Sequence, residues 1–179
     1  NFNMKKNKQN YFLYIFLYIL PTSIFANTTV QPAVATAHHI ATRTGLEILE
    51  KGGNAFDAAA AITASLAVVE PYGSGLGGGG FWLLHRSEDN KQVVIDGRET
   101  APMRSEKDMY LDKNGNIVKD LSLNGPIAAG IPGIVAGIDH LVTHYGRLNL
   151  HDVLKPAIQQ AKNGFVVTER YQKLIKYRK

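Results

Sequence analysis

Apolar positions at Ile40, Ala41, Leu46, Ile48 and Leu49 recur at helical spacing, and Gly52-Gly53 follows as a stop, so residues 40–51 are predicted to form a helix. The next run, residues 55–69, has a different character: it is rich in alanine and its one charge is Asp57. Asn54 stands where it can cap this helix, with Asp57 at the third position, where a carboxylate meets free N–H groups and the helix dipole. Alanine combines high helix propensity with a small cross-section, so this is predicted to be a core helix with neighbours close on most sides. Two apolar runs then predict strands at 80–85 and 92–96, joined by a polar turn at 87–91. Their continuous apolar centres and charged ends suggest strands in a sheet covered by helices. Residues 101–119 read as a loop with a short helix and a turn at 112–116, and 123–133 holds two turn signals, Gly125-Pro126 and Pro132-Gly133. An amphipathic helix at 134–145 stops at Gly146, and another at 152–163, begun at Asn149 or Leu150, is closed by Gly164. No internal repeat or low-complexity linker divides the chain.

Between the alanine-rich helix and the first strand lies EPYGSGLGGGGF (70–81), with six glycines, Gly73, Gly75, Gly77, Gly78, Gly79 and Gly80, inside eight residues. Such a run fits neither a helix nor an ordinary strand. Glycine costs backbone entropy, so the run makes sense where chain passes close to something or takes positive φ repeatedly. A flexible linker would carry polar Ser/Pro-rich flanks, whereas apolar segments abut this run on both sides. Gly73, Gly75 and Gly78 also spell a formal G-x-G-x-x-G. A dinucleotide site needs that pattern after a strand and before a helix, and here the order is reversed. No Lys-Ser or Lys-Thr follows, which excludes a P-loop.

The ends change the picture of charge and location. The first methionine is Met4, and the chain stops at Lys179 inside an amphipathic, basic helical pattern (Tyr171, Leu174, Ile175), so the expectation is the front part of a larger protein. Lys5, Lys6 and Lys8 precede an apolar and aromatic stretch at 11–20 and a short exit at 21–26, the layout of an export signal. Ten apolar residues are short for a bilayer span, which favours a cleaved signal peptide (4–26) over an anchor, leaving 27–179 as the mature segment. Ile24 departs from the small residue preferred two positions before a cut at Ala26. The formal charge is +5, but setting aside those three lysines leaves 17 Lys+Arg against 15 Asp+Glu. The basic balance therefore belongs to the signal and does not point to nucleic acid. The absence of cysteine removes disulfides, thiol catalysis and thiolate metal sites together, and suits a bacterial periplasmic or secreted protein that relies on its core.

Candidate chemistry is sparse. His140 and His144 lie four apart on one helix face, but the zinc-protease pattern requires a glutamate after the first histidine and Leu141 stands there. His38-His39 before the first helix reads as capping or packing, so no metal site is predicted. Arg98 follows a predicted strand end and Gly97, and so emerges at a sheet edge where ligands tend to sit. Its planar guanidinium can grip a carboxylate bidentately, and Glu99 beside it could orient the fork or compete for it. An ordinary surface turn is the competing reading of that stretch.

Four ordered blocks then carry a family resemblance. GLEIL (45–49) with GGNAFDAA (52–59) is similar to the opening signature of gamma-glutamyltransferases, or glutathione hydrolases. VEP (69–71) followed by GLGGGGF (75–81) resembles that family's glycine segment, DGRETAP (96–102) its substrate-arginine motif, and GIPGIVAG (130–137) a further block. The likeness runs from about Ala33 to Tyr171. It implies an α+β, N-terminal-nucleophile hydrolase fold layered α-β-β-α, of which this chain holds only part. It also implies a precursor that cuts itself into a large and a small subunit, so that the small subunit is a heterodimer partner. The small subunit's new N-terminal threonine would attack the γ-glutamyl carbonyl of glutathione or a related compound, its own α-amine serving as base. The acyl group then passes to water, an amino acid or a peptide, with no cofactor. By its place in the matching motif, Arg98 would hold the donor's α-carboxylate.

The departures are informative. His39 stands where the family commonly has proline, which bears on capping and not on chemistry. The nucleophilic threonine and the oxyanion-hole glycines belong to the small subunit, and neither Thr28, Thr36 nor Thr42 matches the nucleophile motif. No catalytic residue is expected within these residues: they carry recognition without the reaction. Two alternatives stay open, an acylase of the same fold and a truncated, non-catalytic product.

Overall fold

The computed structural model describes residues 31–177; the predicted signal peptide lies outside them. The first helix, α1 (His39–Glu50), starts at His38, whose extended backbone and Nδ1 form the cap, accepting the Ile40 N–H at 3.2 Å. Capping is thus the role His38 plays, as expected of the His-His pair, and its ring stacks on His39 at 4.7 Å. The helix ends at Gly52, at φ +88°, where glycine has no steric cost.

The alanine-rich helix, α2 (Ala55–Val69), is the centre of the fold. Ala58, Ala60, Ala61 and Ala64 on it are buried, and α1 crosses it so closely that a Cβ at Gly45 would lie 2.6 Å from Ile62 Cδ1. Its N-terminus is a full capping box: Asn54 accepts from the Phe56 and Asp57 N–H groups, and Asp57 accepts the Asn54 N–H at 2.8 Å. Asp57 also does more than cap. Its carboxylate is fully buried and accepts the Arg147 N–H at 2.9 Å and the Leu148 N–H at 3.4 Å, from the turn between the two later helices α4 (Ile134–Tyr145) and α5 (Leu150–Asn163). The short helix α3 (Pro71–Ser74) follows α2, then β1 (Gly80–Arg86), β2 (Lys91–Gly97), and finally α6 (Glu169–Tyr177) after α5.

Helix α5 is tied to α1 and α2 by a closed polar triangle. Gln160 Nε2 donates to Thr44 Oγ1 at 2.8 Å, Ser65 Oγ donates to Gln160 Oε1 at 2.7 Å, and Thr44 Oγ1 donates to Ser65 Oγ at 3.4 Å. Each buried hydroxyl therefore has a partner, which removes the cost of desolvating it.

The strands form an antiparallel hairpin, with Gly80 opposite Gly97 and Arg86 opposite Lys91. Trp82 and Leu84 turn inward onto the helices, while Phe81, Leu83 and Val94 on the other face are 58, 73 and 63 % exposed. Among the described residues the expected cover of helices therefore lies on one face only. The outward positions are apolar as well, which is why the sequence showed continuous runs where the structure alternates. Two further expectations are corrected. Residues 101–119 contain turns and an isolated Leu111–Ile117 bridge instead of a short helix. Asp112 accepts the Asn114 and Asn116 N–H groups at 2.8 and 2.9 Å, which commits the chain to a turn and lowers the Asp112 pKa. Residues 70–81 do include helix, at α3 with Gly73 inside it, and Gly80 opens β1.

Burial lowers the His38 pKa, the neighbouring His39 lowers it further, and Glu70 pulls the other way. The unfolded chain then takes up the proton more readily. Stability is full above the ordinary histidine pKa of about 6.5 and falls as pH drops through it toward the lowered folded value. Melting curves from pH 8 to pH 5 should show this loss, and His38→Asn, which replaces the capping Nδ1 with an accepting oxygen that does not titrate, should flatten the slope. An equal slope in the variant would remove His38 as its source. Gly137 supplies a second test. Glycine-to-alanine inside a helix ordinarily stabilises by up to about 1 kcal/mol. At Gly137 the added methyl would overlap the Trp82 ring, so Gly137→Ala should instead destabilise by about 1–3 kcal/mol in urea denaturation.

Candidate functional site

Three segments far apart in the chain meet at the end of β2. Residues Thr100 and Ile131 exchange backbone hydrogen bonds, at 3.2 and 2.8 Å. The Gly78 carbonyl accepts both the Gly133 N–H at 3.1 Å and the Ile134 N–H at 3.2 Å. These are first-turn donors of α4, whose cap residue Gly133 has no side chain to offer, so the glycine segment caps that helix with its own backbone. The crossing leaves no room for side chains. A Cβ on Gly79 would lie 2.6 Å from Glu99 N and 2.7 Å from Arg98 Cα; one on Gly133 would overlap the Gly97 carbonyl and lie 2.8 Å from Arg98 O.

Within the run, Gly79 serves close approach, Gly75, Gly78 and Gly80 are more mildly crowded, and the Cβ positions of Gly73 and Gly77 are open. None of them has a positive φ; among the described residues the glycines that do are Gly52, Gly115, Gly125 and Gly164. Of the two reasons for a glycine run, proximity is the one that operates at Gly79, and what it approaches is the backbone of Arg98 and Glu99.

Arg98 itself leaves the end of β2 on the exposed side, with its N–H donated to Asp96 Oδ1 at 3.0 Å. It lines a cavity of about 560 Å³ together with Val93, Ile95, Pro132, Ala136 and His140. Among the described residues no carboxylate pairs with its guanidinium. Glu99 does not compete for the fork: its carboxylate lies against the Gly78–Gly79 backbone. The arrangement is a planar cation at the rim of a partly apolar cavity, held by a tightly packed backbone, with its bidentate donors unclaimed by the described side chains. Its chemistry is to bind a carboxylate or a similar planar anion.

The other candidates are accounted for by local structure. His144 Nδ1 is 3.1 Å from the His140 carbonyl, and the two rings stack at 4.0 Å. Thr36 donates to the His38 carbonyl at 2.8 Å and shares a 2.7 Å hydrogen bond with Thr42, while Thr28 lies outside the described residues. Sequence reasoning treated residues 130–137 as a turn, a helix start and a block of the family resemblance, and did not foresee that they form one wall of the Arg98 site. The signal was there in Gly130, Gly133 and Gly137, each of which has a Cβ position crowded by Glu99, Gly97 or Trp82.

Comparison with known proteins shows the family. The chain is 43% identical over 136 residues to a glutathione hydrolase proenzyme of Pseudomonas sp. strain A14, an alignment covering 76% of this chain and 24% of that protein. It thus spans about a quarter of the length of the curated relatives it matches. The crystal structure of Helicobacter pylori gamma-glutamyltranspeptidase superposes with a TM-score of 0.79 at 43% identity, covering 84% of this chain and 43% of that one. A cephalosporin acylase from Bacillus halodurans superposes with a TM-score of 0.66 at 30% identity, covering 82% and 29%. Helices and a hairpin of this kind are therefore part of a larger N-terminal-nucleophile hydrolase fold. The profile of the gamma-glutamyltranspeptidase family matches residues 41–179, and the chain belongs to that family.

Proposed function

We propose that this chain is the donor-recognition part of an exported gamma-glutamyltransferase that hydrolyses glutathione and related γ-glutamyl compounds, or passes the acyl group to amino acids and peptides. The observation that carries the reading is Arg98: a guanidinium at a strand end, unpaired among the described residues, on a cavity large enough for an amino-acid head group. In this reading Arg98 takes the donor's α-carboxylate, and the γ-carbonyl is presented to a threonine in a small subunit released from the same precursor. The word proenzyme in the names of the relatives supports such a cut. Lys5, Lys6 and Lys8 ahead of the apolar stretch at 11–20 support export to the periplasm or beyond.

The likeness to the cephalosporin acylase supports a second reading, an acylase of the same fold. Arg98 argues against it, because an acyl donor without an α-carboxylate has no use for the fork. Hydrolysis of a γ-glutamyl anilide measured beside a glutaryl amide separates the two; preference for the glutaryl compound would overturn the transferase reading.

The residue-level test is made in the full-length, processed protein. Arg98→Lys keeps the charge and loses the two-point geometry, while Arg98→Ala loses both. Hydrogen bonds to charged groups contribute roughly 1.5–3 kcal/mol, so Arg98→Lys should lower donor kcat/KM about tenfold or more, and Arg98→Ala on the order of a hundredfold. Self-cleavage should survive both substitutions, since it acts on the chain's own backbone. Unchanged donor kinetics in Arg98→Ala together with failed maturation would make Arg98 a structural residue.

A further inference from the structure

Asp96 lies two residues before Arg98, opposite Phe81 in the hairpin register. It is an acidic group close to the cation proposed as the anion receptor, and its charge opposes the binding of an anion there. Its carboxylate does something specific: Oδ1 accepts the Arg98 N–H at 3.0 Å, closing a short side-chain-to-backbone loop around Gly97. Gly97 is itself pinned, since a Cβ there would lie 2.6 Å from Trp82 Cζ3 and 3.3 Å from the Gly133 carbonyl oxygen. The backbone before Arg98 is thus held by packing. The N–H of Arg98 is held in addition by Asp96.

We propose that Asp96 is a positioning residue for Arg98: its carboxylate oxygen fixes the backbone from which the guanidinium is aimed, and through it sets donor affinity without touching the donor. The inference rests on Arg98 being the donor-carboxylate site. On this view the oxygen of residue 96 is useful and its negative charge is not. A proximity effect of this kind acts on binding of the head group, so it is read in KM more than in kcat.

The test is a set of four variants of the full-length, processed enzyme, Asp96→Asn, Asp96→Ala, Arg98→Ala and the Asp96→Ala/Arg98→Ala double variant, assayed for donor KM and kcat and for Tm. Asp96→Asn keeps an accepting oxygen and should leave KM within about twofold of the parent, whereas Asp96→Ala loses a hydrogen bond and should raise KM about threefold to tenfold with kcat nearly unchanged. Added to Arg98→Ala, Asp96→Ala should have no further effect, because there is no guanidinium left to aim. The side chain is exposed, so Tm should not move. If Arg98→Ala raises KM while Asp96→Ala does not, the positioning role is wrong and the donor reading stands. If Arg98→Ala leaves donor kinetics unchanged, the donor reading fails and the positioning role with it. Additive effects in the double variant would mean that Asp96 meets the donor directly, and a lower KM in both Asp96 variants would mean that it acts as a repelling charge. A fall in Tm and kcat without a change in KM would make it a residue of the fold. Each of these last three outcomes overturns the proposal.

Discussion

Backbone meets backbone at one crossing in this molecule, and the rest of the site depends on it. Gly79, Gly97 and Gly133 lie in segments separated by long stretches of chain, and each approaches another so closely that a methyl group would overlap main-chain atoms or the Trp82 ring. Contact of this kind is less forgiving than side-chain packing, because a backbone cannot change rotamer to relieve a clash. The consequence is a strand end whose position is set on two sides before any ligand arrives. A bidentate contact from arginine to carboxylate is sensitive to small displacements, so rigid placement of the Cα would suit the contact proposed for Arg98.

The crossing is held from behind by the helical layer. Trp82 links the two: its ring is wedged against Gly97 and Gly137, and its Nε1 donates to Thr63 Oγ1 on α2 at 3.2 Å. Helix α2 is fixed in turn by Asp57, which gathers three backbone N–H groups from its own cap and from the α4–α5 turn. A buried carboxylate without such donors would be costly, and here the donors come from the segments that must be brought together. Gly146 leaves the space for it, since a Cβ there would overlap the Asp57 carboxylate.

Much of this was legible in the residues, for reasons that differ by element. The bounds of α2 and α4 could be read directly, because Asn54, Asp57, Gly133 and Gly146 mark ends by local chemistry. The purpose of the glycine run was only half legible. In sequence, proximity and positive φ leave the same trace; the φ angles, none of them positive, and the Gly79 distances to Arg98 and Glu99 distinguish them, while Gly73 and Gly77 are crowded by nothing. The exposed sheet face was not legible at all, since Phe81, Leu83 and Val94 are as apolar as Trp82 and Leu84. Nor was the second role of Asp57, because its partners at Arg147 and Leu148 are some 90 residues away and donate through their backbones, which carry no mark in the side-chain sequence.

That exposed face says something about how the layered fold is built. In a sheet that faces solvent on one side, strands alternate apolar and polar residues, and period-two patterning results. The hairpin here alternates in burial but not in polarity. Apolar residues on both faces suit a strand that is covered twice, once by helices and once by another sheet, which is the α-β-β-α arrangement of the N-terminal-nucleophile hydrolases this chain superposes on. The same residues that blurred the strand pattern in sequence are therefore its record of the larger fold. Asp96 and Phe81, cross-strand partners, stand at the end of that face next to the Arg98 site. The outer face of the sheet and the Arg98 cavity thus share one strand end.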